Sequence, residues 1–224
     1  MLRKLTMGMI LAGLLAAPAL AQEDETTTEA PSSSGLGFYA GYLLGDVISE
    51  ASFGDEGQFQ AELDDDAVFG GLFFADMNEK WRFETRLTYM PATILNAAPF
   101  DWFGPEPDGE ARDVSADLFY IDVGFIRFFD LGESVRLGIP FGLGWAAAYS
   151  DEVYSDFIPG RSIGLQQEDG SGGTYYLGVQ MLFELGDTWE LFVDTRFKRF
   201  HRLTSVLERT AKTNEFTVGF CRRF

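Results

Sequence analysis

Cysteine, histidine and basic residues are scarce in this chain of 224 residues. The one cysteine, Cys221, excludes an internal disulfide framework, and we interpret it as a small packing residue. The only histidine is His201. Lys and Arg number 17 against 35 Asp and Glu, which gives a formal net charge of −18. Because nucleic-acid binding needs clustered cations, this composition predicts no nucleic-acid partner.

Long apolar runs are missing after the first segment of the chain. The opening stretch "MLRKLTMGMILAGLLAAPALA" has Arg3 and Lys4, an apolar run and then Ala19-Leu20-Ala21, which predicts a secretory signal peptide over residues 1–21. No later run reaches the roughly 18 apolar residues of a spanning helix, so membrane association would need another structure. Residues 22–35, "QEDETTTEAPSSSG", are acidic and rich in Ser and Thr, and they predict a disordered tether.

From residue 36 onward, short segments alternate apolar and polar residues. The chain ends in "NEFTVGFCRRF", where Phe216, Val218, Phe220 and Phe224 fall on one face of a two-residue period. Such a period is typical of a β-strand with one apolar face. Eight segments of this kind are predicted as strands: Leu36 to Val47, Ala67 to Ala75, Lys80 to Met90, Asp113 to Phe129, Val135 to Tyr149, Thr174 to Leu185, Thr188 to Phe200, and Thr213 to Phe224.

The connections between these segments alternate in length. Long loops are predicted at 48–66, 91–112, 150–173 and 201–212, and tight turns at 76–79, 130–134 and 186–187. An up-and-down antiparallel sheet places all long loops at one end and all tight turns at the other. The fold class predicted is therefore an all-β, eight-stranded antiparallel up-and-down barrel over residues 36–224, with both termini at the tight-turn end.

Alternation alone leaves open which face points inward. A lipocalin-like barrel and a β-sandwich would put the apolar face inside, whereas a barrel in lipid would put it outside. The non-aromatic face of "VRLGIPFGLGWAAAY" is mostly Gly and Ala, which suits a crowded interior better than a solvated exterior. Large aromatic residues also lie near the segment ends, as interfacial girdles require: Trp81, Tyr89, Trp145, Tyr149, Tyr175 and Trp189.

The polar faces carry charges of both signs in near balance, which favours lipid outside. Eight strands enclose a lumen only just wide enough for side chains, and charges buried there must be paired. A balanced set of this kind predicts a plugged lumen rather than an open pore. The predicted interior charge network is Arg82, Glu84, Arg86, Asp122, Arg136, Glu184, Glu190, Asp194, Arg196, Lys198 and Glu215.

Three stretches carry a family resemblance: "GFYAGYLLG" after the tether, "DMNEKWRFETRLTYM" as turn and strand, and the terminal strand. With these, the chain resembles the small eight-stranded outer-membrane β-barrels, the OmpA transmembrane domain and OmpX/Ail-like proteins. The resemblance implies a bacterial outer-membrane location with both termini periplasmic, and outer-membrane lipid and lipopolysaccharide as partners. It also implies that the barrel-assembly machinery reads the terminal strand through Phe216, Val218, Phe220 and Phe224.

Two residues depart from this pattern. Arg222 stands where the terminal strand usually has an apolar residue. Pro140 falls inside a predicted strand of a closed barrel, which has no free edge for it, so a local β-bulge is predicted there.

Enzymatic and metal chemistry are both weakly indicated. His201 precedes Ser205 and Glu208, but position 203 is Leu, so the His-x-Ser spacing of acylhydrolase barrels is absent. The acidic "ELDDD" at 62–66 lacks the framing of a calcium loop and is interpreted as solvated. We therefore predict no enzyme, cofactor or metal site. The predicted function is a monomeric envelope or surface-interaction protein with acidic extracellular loops; the alternatives are a lipid-modifying acylhydrolase and a narrow diffusion channel.

Overall fold

Ten β-strands form the computed structural model, which describes residues 33–45, 47–52, 58–97, 112–150, 170–201 and 210–224. In the described part of the chain, no helix has the length and apolar character needed to cross a membrane. The strands are β1 Ser34–Leu44, β2 Val47–Ser52, β3 Gln58–Leu63, β4 Asp66–Asn78, β5 Trp81–Ala97, β6 Arg112–Asp130, β7 Val135–Ser150, β8 Gly170–Leu185, β9 Trp189–His201 and β10 Thr210–Arg223.

Eight of these strands close into a ring. The order is β1, β4, β5, β6, β7, β8, β9 and β10, each antiparallel to the next, and β10 returns to β1. At this closing contact Phe38 is in register with Phe220. The predicted eight-stranded antiparallel barrel is confirmed. Closure matters because an open sheet edge in lipid would leave backbone N–H and C=O groups without partners.

Alternation within each strand separates an inner from an outer surface. In β10, Phe216, Val218 and Phe220 are exposed, whereas Glu215, Thr217 and Cys221 are buried. Strands β5 and β9 show the same period over most of their length. Since successive strand residues point to opposite faces, the apolar residues lie outside and the charged residues inside.

Two of the tight turns carry recognisable turn chemistry. Asn78 Oδ1 accepts hydrogen bonds from the backbone N–H of Lys80 (2.9 Å) and of Trp81 (3.0 Å), which closes the β4–β5 turn. Gly186, in the β8–β9 turn, has a φ of 77°, a conformation that glycine adopts without steric strain. These turns lie at the end of the barrel where β1 begins and β10 ends, here called the turn end; the opposite end is the loop end.

The first long loop contains a hairpin that the sequence prediction missed. The sequence predicts a loop over residues 48–66 and a first strand that reaches Val47. In the structure β1 ends at Leu44, and β2 and β3 pair antiparallel. Strand β5 continues to Ala97, beyond its predicted end at Met90. Its pairing with β4 reaches only Tyr89, so the edge of β5 that faces β4 has no partner strand from β4 over its last residues. The pairs Glu62↔Leu95 and Leu63↔Ile94 place β3 on that edge, which satisfies its backbone groups.

The β-bulge predicted at Pro140 is wrong. On the β6 side, the pair Ile126↔Pro140 continues an unbroken register. On the β8 side, the pairing passes from Gly138↔Gln180 to Phe141↔Leu177, an equal advance on both strands, so no extra residue is inserted. Proline lacks the N–H donor, and the ladder accommodates this by omitting the pairs at Ile139 and Pro140.

Candidate functional site: the filled barrel interior

Strands β5 and β9 face each other across the full diameter of the ring, because they are four strands apart in either direction. Their inward side chains carry charges of opposite sign at matching heights, so they can join across the lumen. Three ion pairs do so: Arg82 Nη1 to Glu190 Oε2 at 2.7 Å, Arg196 Nη2 to Glu84 Oε1 at 2.6 Å, and Arg86 Nη2 to Asp194 Oδ2 at 2.7 Å.

The two central pairs are also linked to each other along each strand. Arg86 Nε lies 2.8 Å from Glu84 Oε1 on β5, and Arg196 Nη2 lies 2.9 Å from Asp194 Oδ2 on β9. Each carboxylate therefore accepts from both guanidinium groups, which gives a closed four-residue ring of charge-assisted hydrogen bonds. Such a ring compensates the desolvation of all four ions, which a single buried pair does less completely.

A second group of charges lies toward the loop end. Lys198 Nζ is 2.6 Å from Asp122 Oδ2 and 2.7 Å from Glu215 Oε2, so one cation bridges two carboxylates. Tyr120 donates its hydroxyl hydrogen to Glu215 Oε2 at 2.8 Å, and Thr174 donates to Asp122 Oδ1 at 3.0 Å. Strands β6 and β10, which carry Tyr120 and Glu215, are themselves on opposite walls.

A third group at the turn end includes two charges that sequence reasoning left out. Asp76 Oδ1 lies 2.6 Å from Arg82 Nε, and Arg223 pairs with both Glu184 and Glu190. The sequence predicts a turn at Asp76, but this residue lies in β4, two residues beyond the buried Phe74, and so shares its face. Arg223 occupies an inward position of the terminal strand, and the two-residue period would have placed it there.

The structure places all eleven residues of the predicted interior network on the inner side of the barrel. Nine are buried, with exposures of 3% or less, and the other two, Arg136 and Glu184, lie at the turn end with partial exposure. Arg136 Nη2 lies 3.0 Å from Glu184 Oε1. With Asp76 and Arg223 added, the set described here comprises seven acids and six bases, so it remains close to neutral.

Apolar side chains fill the rest of the interior, and sequence reasoning missed this part of the plug. A loop-end cluster comprises Leu43, Leu63, Val68, Met90, Ala92, Leu118, Tyr120, Ala146, Ala148, Phe200 and Ala211. A turn-end cluster comprises Tyr39, Leu72, Phe74, Ile126, Phe128, Leu182, Phe192 and Cys221. The sequence feature that could have predicted these clusters is the presence of three large apolar residues on strand faces that are otherwise polar, namely Phe74, Phe128 and Phe192.

The apolar clusters also contact the ions directly. The Cζ atom of Arg82 lies 3.8 Å from the centroid of the Phe74 ring, and that of Arg86 lies 4.9 Å from the centroid of the Tyr39 ring. Lys198 Nζ lies 3.8 Å from the centroid of the Tyr120 ring. A cation over an aromatic face is stabilised, more so where water is excluded, so the aromatic residues hold the cations as well as filling space.

Inward glycines make room for these large side chains. A Cβ atom added at Gly70 would lie 2.3 Å from the ring of Tyr39, and one added at Gly142 would lie 2.6 Å from the hydroxyl of Tyr176. Real Cβ atoms do not approach other atoms so closely. The glycine-rich face of β7 therefore points inward, as the sequence indicated, and it does so because bulky side chains from neighbouring strands lie over it.

The four terminal-strand residues assigned to assembly lie on the outer surface. Phe216, Val218, Phe220 and Phe224 are all exposed, and the backbone N–H of Phe224 donates to the carbonyl of Ser34 at 2.9 Å. Arg222 shares this outer face, with its Cζ atom 5.9 Å from the centroid of the Trp189 ring.

The residues weighed for catalysis and metal binding are only partly described. His201 is exposed at the end of β9, whereas Ser205 and Glu208 lie outside the described residues. Residues 1–21, predicted as a signal peptide, and most of residues 22–35, predicted as a tether, also lie outside them. Asp65 Oδ1 accepts from the N–H of Gly45 at 2.7 Å, so this acid orders the backbone. Within the described ranges, no three His, Cys, Asp or Glu residues are grouped to hold a metal ion.

Comparisons with known proteins agree with this architecture. Over residues 7–224 the chain matches the family described as outer membrane protein beta-barrel domain. No curated protein sequence matches. The structure of Neisserial surface protein A superposes with a TM-score of 0.53 and 12% identity, covering 87% of this chain and 100% of the other.

Two further solved structures resemble the barrel more loosely. Ail of Yersinia pestis has a TM-score of 0.47 and 18% identity, covering 87% of this chain and 100% of the other. OprG of Pseudomonas aeruginosa has a TM-score of 0.47 and 15% identity, covering 90% and 99%. At such identities a structural likeness concerns the fold alone, whereas the family match spans nearly the whole sequence. The chain therefore belongs to the outer membrane protein beta-barrel domain family.

Proposed function

We propose that this protein is an integral, monomeric outer-membrane barrel with a plugged lumen, which serves envelope structure or surface interaction through its acidic loops. The observation that carries the proposal is the set of three ion pairs between β5 and β9. Since these strands lie on opposite walls, the pairs cross the whole lumen, and an apolar cluster lies to each side of the central ring. No cofactor, metal ion or nucleic acid has a part in this proposal.

The plugged lumen is tested by conductance in planar bilayers. The refolded protein should give no steady openings, because hydrated ions cannot pass side chains that are paired across the diameter. An open porin reconstituted in the same membranes shows that the bilayers can report a channel. Steady, reproducible openings of the purified protein would replace this proposal with the narrow diffusion channel.

The orientation proposed has both termini and the tight turns in the periplasm and the long loops outside the cell. Its support is that β1 begins and β10 ends at the turn end, where a terminal strand read by the barrel-assembly machinery would emerge. Single cysteines at Ser171 or Gly132, each in a Cys221→Ser background, test it in intact cells. A membrane-impermeant maleimide should label Ser171→Cys and leave Gly132→Cys unlabelled. The reverse pattern would show that the barrel has the opposite orientation in the membrane.

A lipid-modifying acylhydrolase is the second candidate, favoured by the exposure of His201 at the loop end. Such an enzyme needs a nucleophile with a general base beside it. His201→Ala should leave the acyl composition of the outer-membrane lipids unchanged. A changed acylation pattern, with the variant barrel still folded, would establish catalysis and displace the structural role.

A further inference from the structure

Five buried side-chain atoms have no hydrogen-bond partner among the residues that the structure describes: Arg136 Nε, Gln180 Oε1, Arg196 Nη1, Glu215 Oε1 and Arg223 Nε. Two of these residues, Arg196 and Glu215, carry opposite charges and are at most 1% exposed. A buried charged group that leaves a hydrogen bond unmade destabilises the fold, and native structures seldom contain one. The Nη1 atom of Arg196 and the Oε1 atom of Glu215 are therefore candidate binding groups for a ligand inside the barrel.

Arg196 on β9 and Glu215 on β10 are direct neighbours. Their Cα positions are in register in the β9–β10 ladder, and both side chains point inward. Residues directly opposite each other in an antiparallel pair have Cβ atoms about 4.5–5.5 Å apart, and the Glu215 carboxylate interacts electrostatically with Arg196. The two side chains thus occupy the same part of the lumen, although their two unpartnered atoms do not bond to each other.

The other two nitrogens of the Arg196 guanidinium group are held on the turn-end side. Nε and Nη2 lie 3.0 Å and 2.9 Å from Asp194 Oδ2, and Nη2 lies 2.6 Å from Glu84 Oε1. Asp194 precedes Arg196 by two residues on the inner face of β9, in the direction of the turn end. These contacts fix the guanidinium group and leave the N–H groups of Nη1 to donate elsewhere.

The other carboxylate oxygen of Glu215 is held on the loop-end side. Oε2 accepts hydrogen bonds from Lys198 Nζ at 2.7 Å and from the Tyr120 hydroxyl at 2.8 Å. Lys198 follows Arg196 by two residues on the inner face of β9, in the direction of the loop end. Because Lys198 and Tyr120 hold Oε2, Oε1 is the oxygen that remains for a contact on the side of Arg196.

We infer that Arg196 Nη1 and Glu215 Oε1 form a binding site for one water molecule inside the barrel. A water molecule accepts hydrogen bonds with its oxygen and donates one with each hydrogen, so it can accept from Nη1 and donate to Oε1 at once. A halide ion can only accept, and Glu215 would repel it, whereas an alkali cation can bind only the carboxylate, and Arg196 would repel it. Buried water molecules typically bond to polar groups that are otherwise unpaired.

The water molecule joins the central ring of charges to the loop-end group. Among the described side chains, no hydrogen bond connects the two sets, which are Glu84, Arg86, Asp194 and Arg196 in the ring, and Asp122, Lys198 and Glu215 at the loop end. The bridge from Arg196 through water to Glu215 makes them one network that reaches β5, β6, β9 and β10. This site goes beyond the proposed function, because it depends only on contacts inside the barrel and not on the orientation or the loops.

X-ray crystallography of the refolded mature protein, at a resolution that shows ordered water, tests the site. A density peak should lie within hydrogen-bond distance, about 2.7–3.2 Å, of both Arg196 Nη1 and Glu215 Oε1. Crystals soaked in rubidium bromide should show no anomalous peak at that position. An anomalous peak of bromide or rubidium would identify an ion in place of water. The absence of any density peak, with or without a direct ion pair between Arg196 and Glu215, would overturn the site.

Two variants test whether Arg196 holds the water. Arg196→Lys keeps the positive charge but removes Nη1, so the density peak should be lost. Gln180→Met is the matched control, since it removes another buried side chain with an unpartnered atom, and the peak should remain as strong as in the parent. Heat-dependent gel migration shows whether each variant is folded. If Arg196→Lys does not fold, Glu215→Met gives the same comparison for Oε1, and the parent density decides independently of both. A peak in Arg196→Lys as strong as in the parent would overturn the role of Nη1.

Discussion

Arg86 on β5 and Asp194 on β9 stand on opposite walls of the barrel, yet Nη2 of the arginine lies 2.7 Å from Oδ2 of the aspartate. Neither residue is more than 2% exposed. The contact joins two strands that share no backbone hydrogen bond and are separated by three strands on each side. Side chains therefore connect the walls across the diameter, and the interior contributes to stability independently of the β-ladder.

Removing one partner of this contact should destabilise the barrel strongly. Arg86→Met keeps most of the side-chain volume but leaves Asp194 and Glu84 with Arg196 as their shared cation. Breaking a buried pair by deleting one ion costs about 3–5 kcal/mol. Urea unfolding in lipid vesicles should show this loss as a lower midpoint with an unchanged m-value.

A control and a double mutant isolate the cross-lumen pair. Arg127→Met changes an outward arginine and should shift stability by no more than about 0.5 kcal/mol. Arg86→Met/Asp194→Leu should lose less than the sum of the two single variants, because the second change removes the uncompensated carboxylate. Strict additivity would mean that the two side chains do not interact across the lumen.

Neighbouring glycines on β4 provide a test of interior crowding. A Cβ atom at Gly70 would lie 2.3 Å from the Tyr39 ring, whereas one at Gly71 would meet only the carbonyl of Gly37 at 3.8 Å. Gly70→Ala should therefore destabilise the barrel by about 1–3 kcal/mol, the usual effect of overpacking. Gly71→Ala should be neutral or slightly stabilising. Equal midpoints of denaturation for the two variants would show that Tyr39 does not fill the space beside Gly70.

The fold could be predicted from sequence because the period of two persists along each strand. In "WRFETRLTYM", Trp81, Phe83, Leu87 and Tyr89 fall on one face and Arg82, Glu84, Arg86 and Thr88 on the other, and strand β5 runs through that stretch. The alternating loop lengths then determine an up-and-down order. Both signals are local in sequence, and closure follows because a sheet in lipid cannot leave an edge unpaired.

The parts that sequence reasoning missed depend on which residues meet across the barrel. In the sequence, Phe74 and Phe192 interrupt strand faces that are otherwise polar. In the barrel, they belong to one buried cluster and contact Arg82 and Arg86. The β2–β3 hairpin covers the part of β5 that extends beyond its pairing with β4 at the loop end. This difference in strand length does not appear in any local sequence pattern. Likewise, Asp76 joins the network through Arg82 only because the turn that follows it is short.

The buried thiol of Cys221 should report folding. Cys221 is 2% exposed on the inner face of β10, where Sγ would lie 2.7 Å from a Cβ atom added at Gly37. A maleimide should therefore label it only after the barrel is unfolded by boiling in detergent. Met77→Cys in a Cys221→Ser background, at an exposed turn-end position, should be labelled in both states. Rapid labelling of Cys221 in the folded protein would mean that reagents enter the interior.

The last prediction concerns the terminal aromatic residue, and it separates stability from assembly. If the barrel-assembly machinery reads Phe216, Val218, Phe220 and Phe224, then Phe224 should matter more for insertion than its contact area suggests. One Phe contributes at most about 1.5–3 kcal/mol by area, which alone should leave many barrels folded. Deleting Phe224 should sharply reduce the inserted protein, with unfolded chains accumulating in the periplasm, as measured by heat-dependent gel migration of membrane fractions.

Two variants decide whether the side chain or the position matters. Phe224→Ala retains the backbone N–H that bonds to Ser34 at 2.9 Å, so it removes the aromatic ring alone, and it should reduce insertion nearly as much as the deletion. Phe197→Ala removes a ring of equal size that is also exposed on the outer surface, but outside the terminal strand. It should insert at near-parental levels, because nothing in the recognition pattern has changed. Equal insertion of the Phe224 and Phe197 variants would reduce Phe224 to one more lipid-facing aromatic residue.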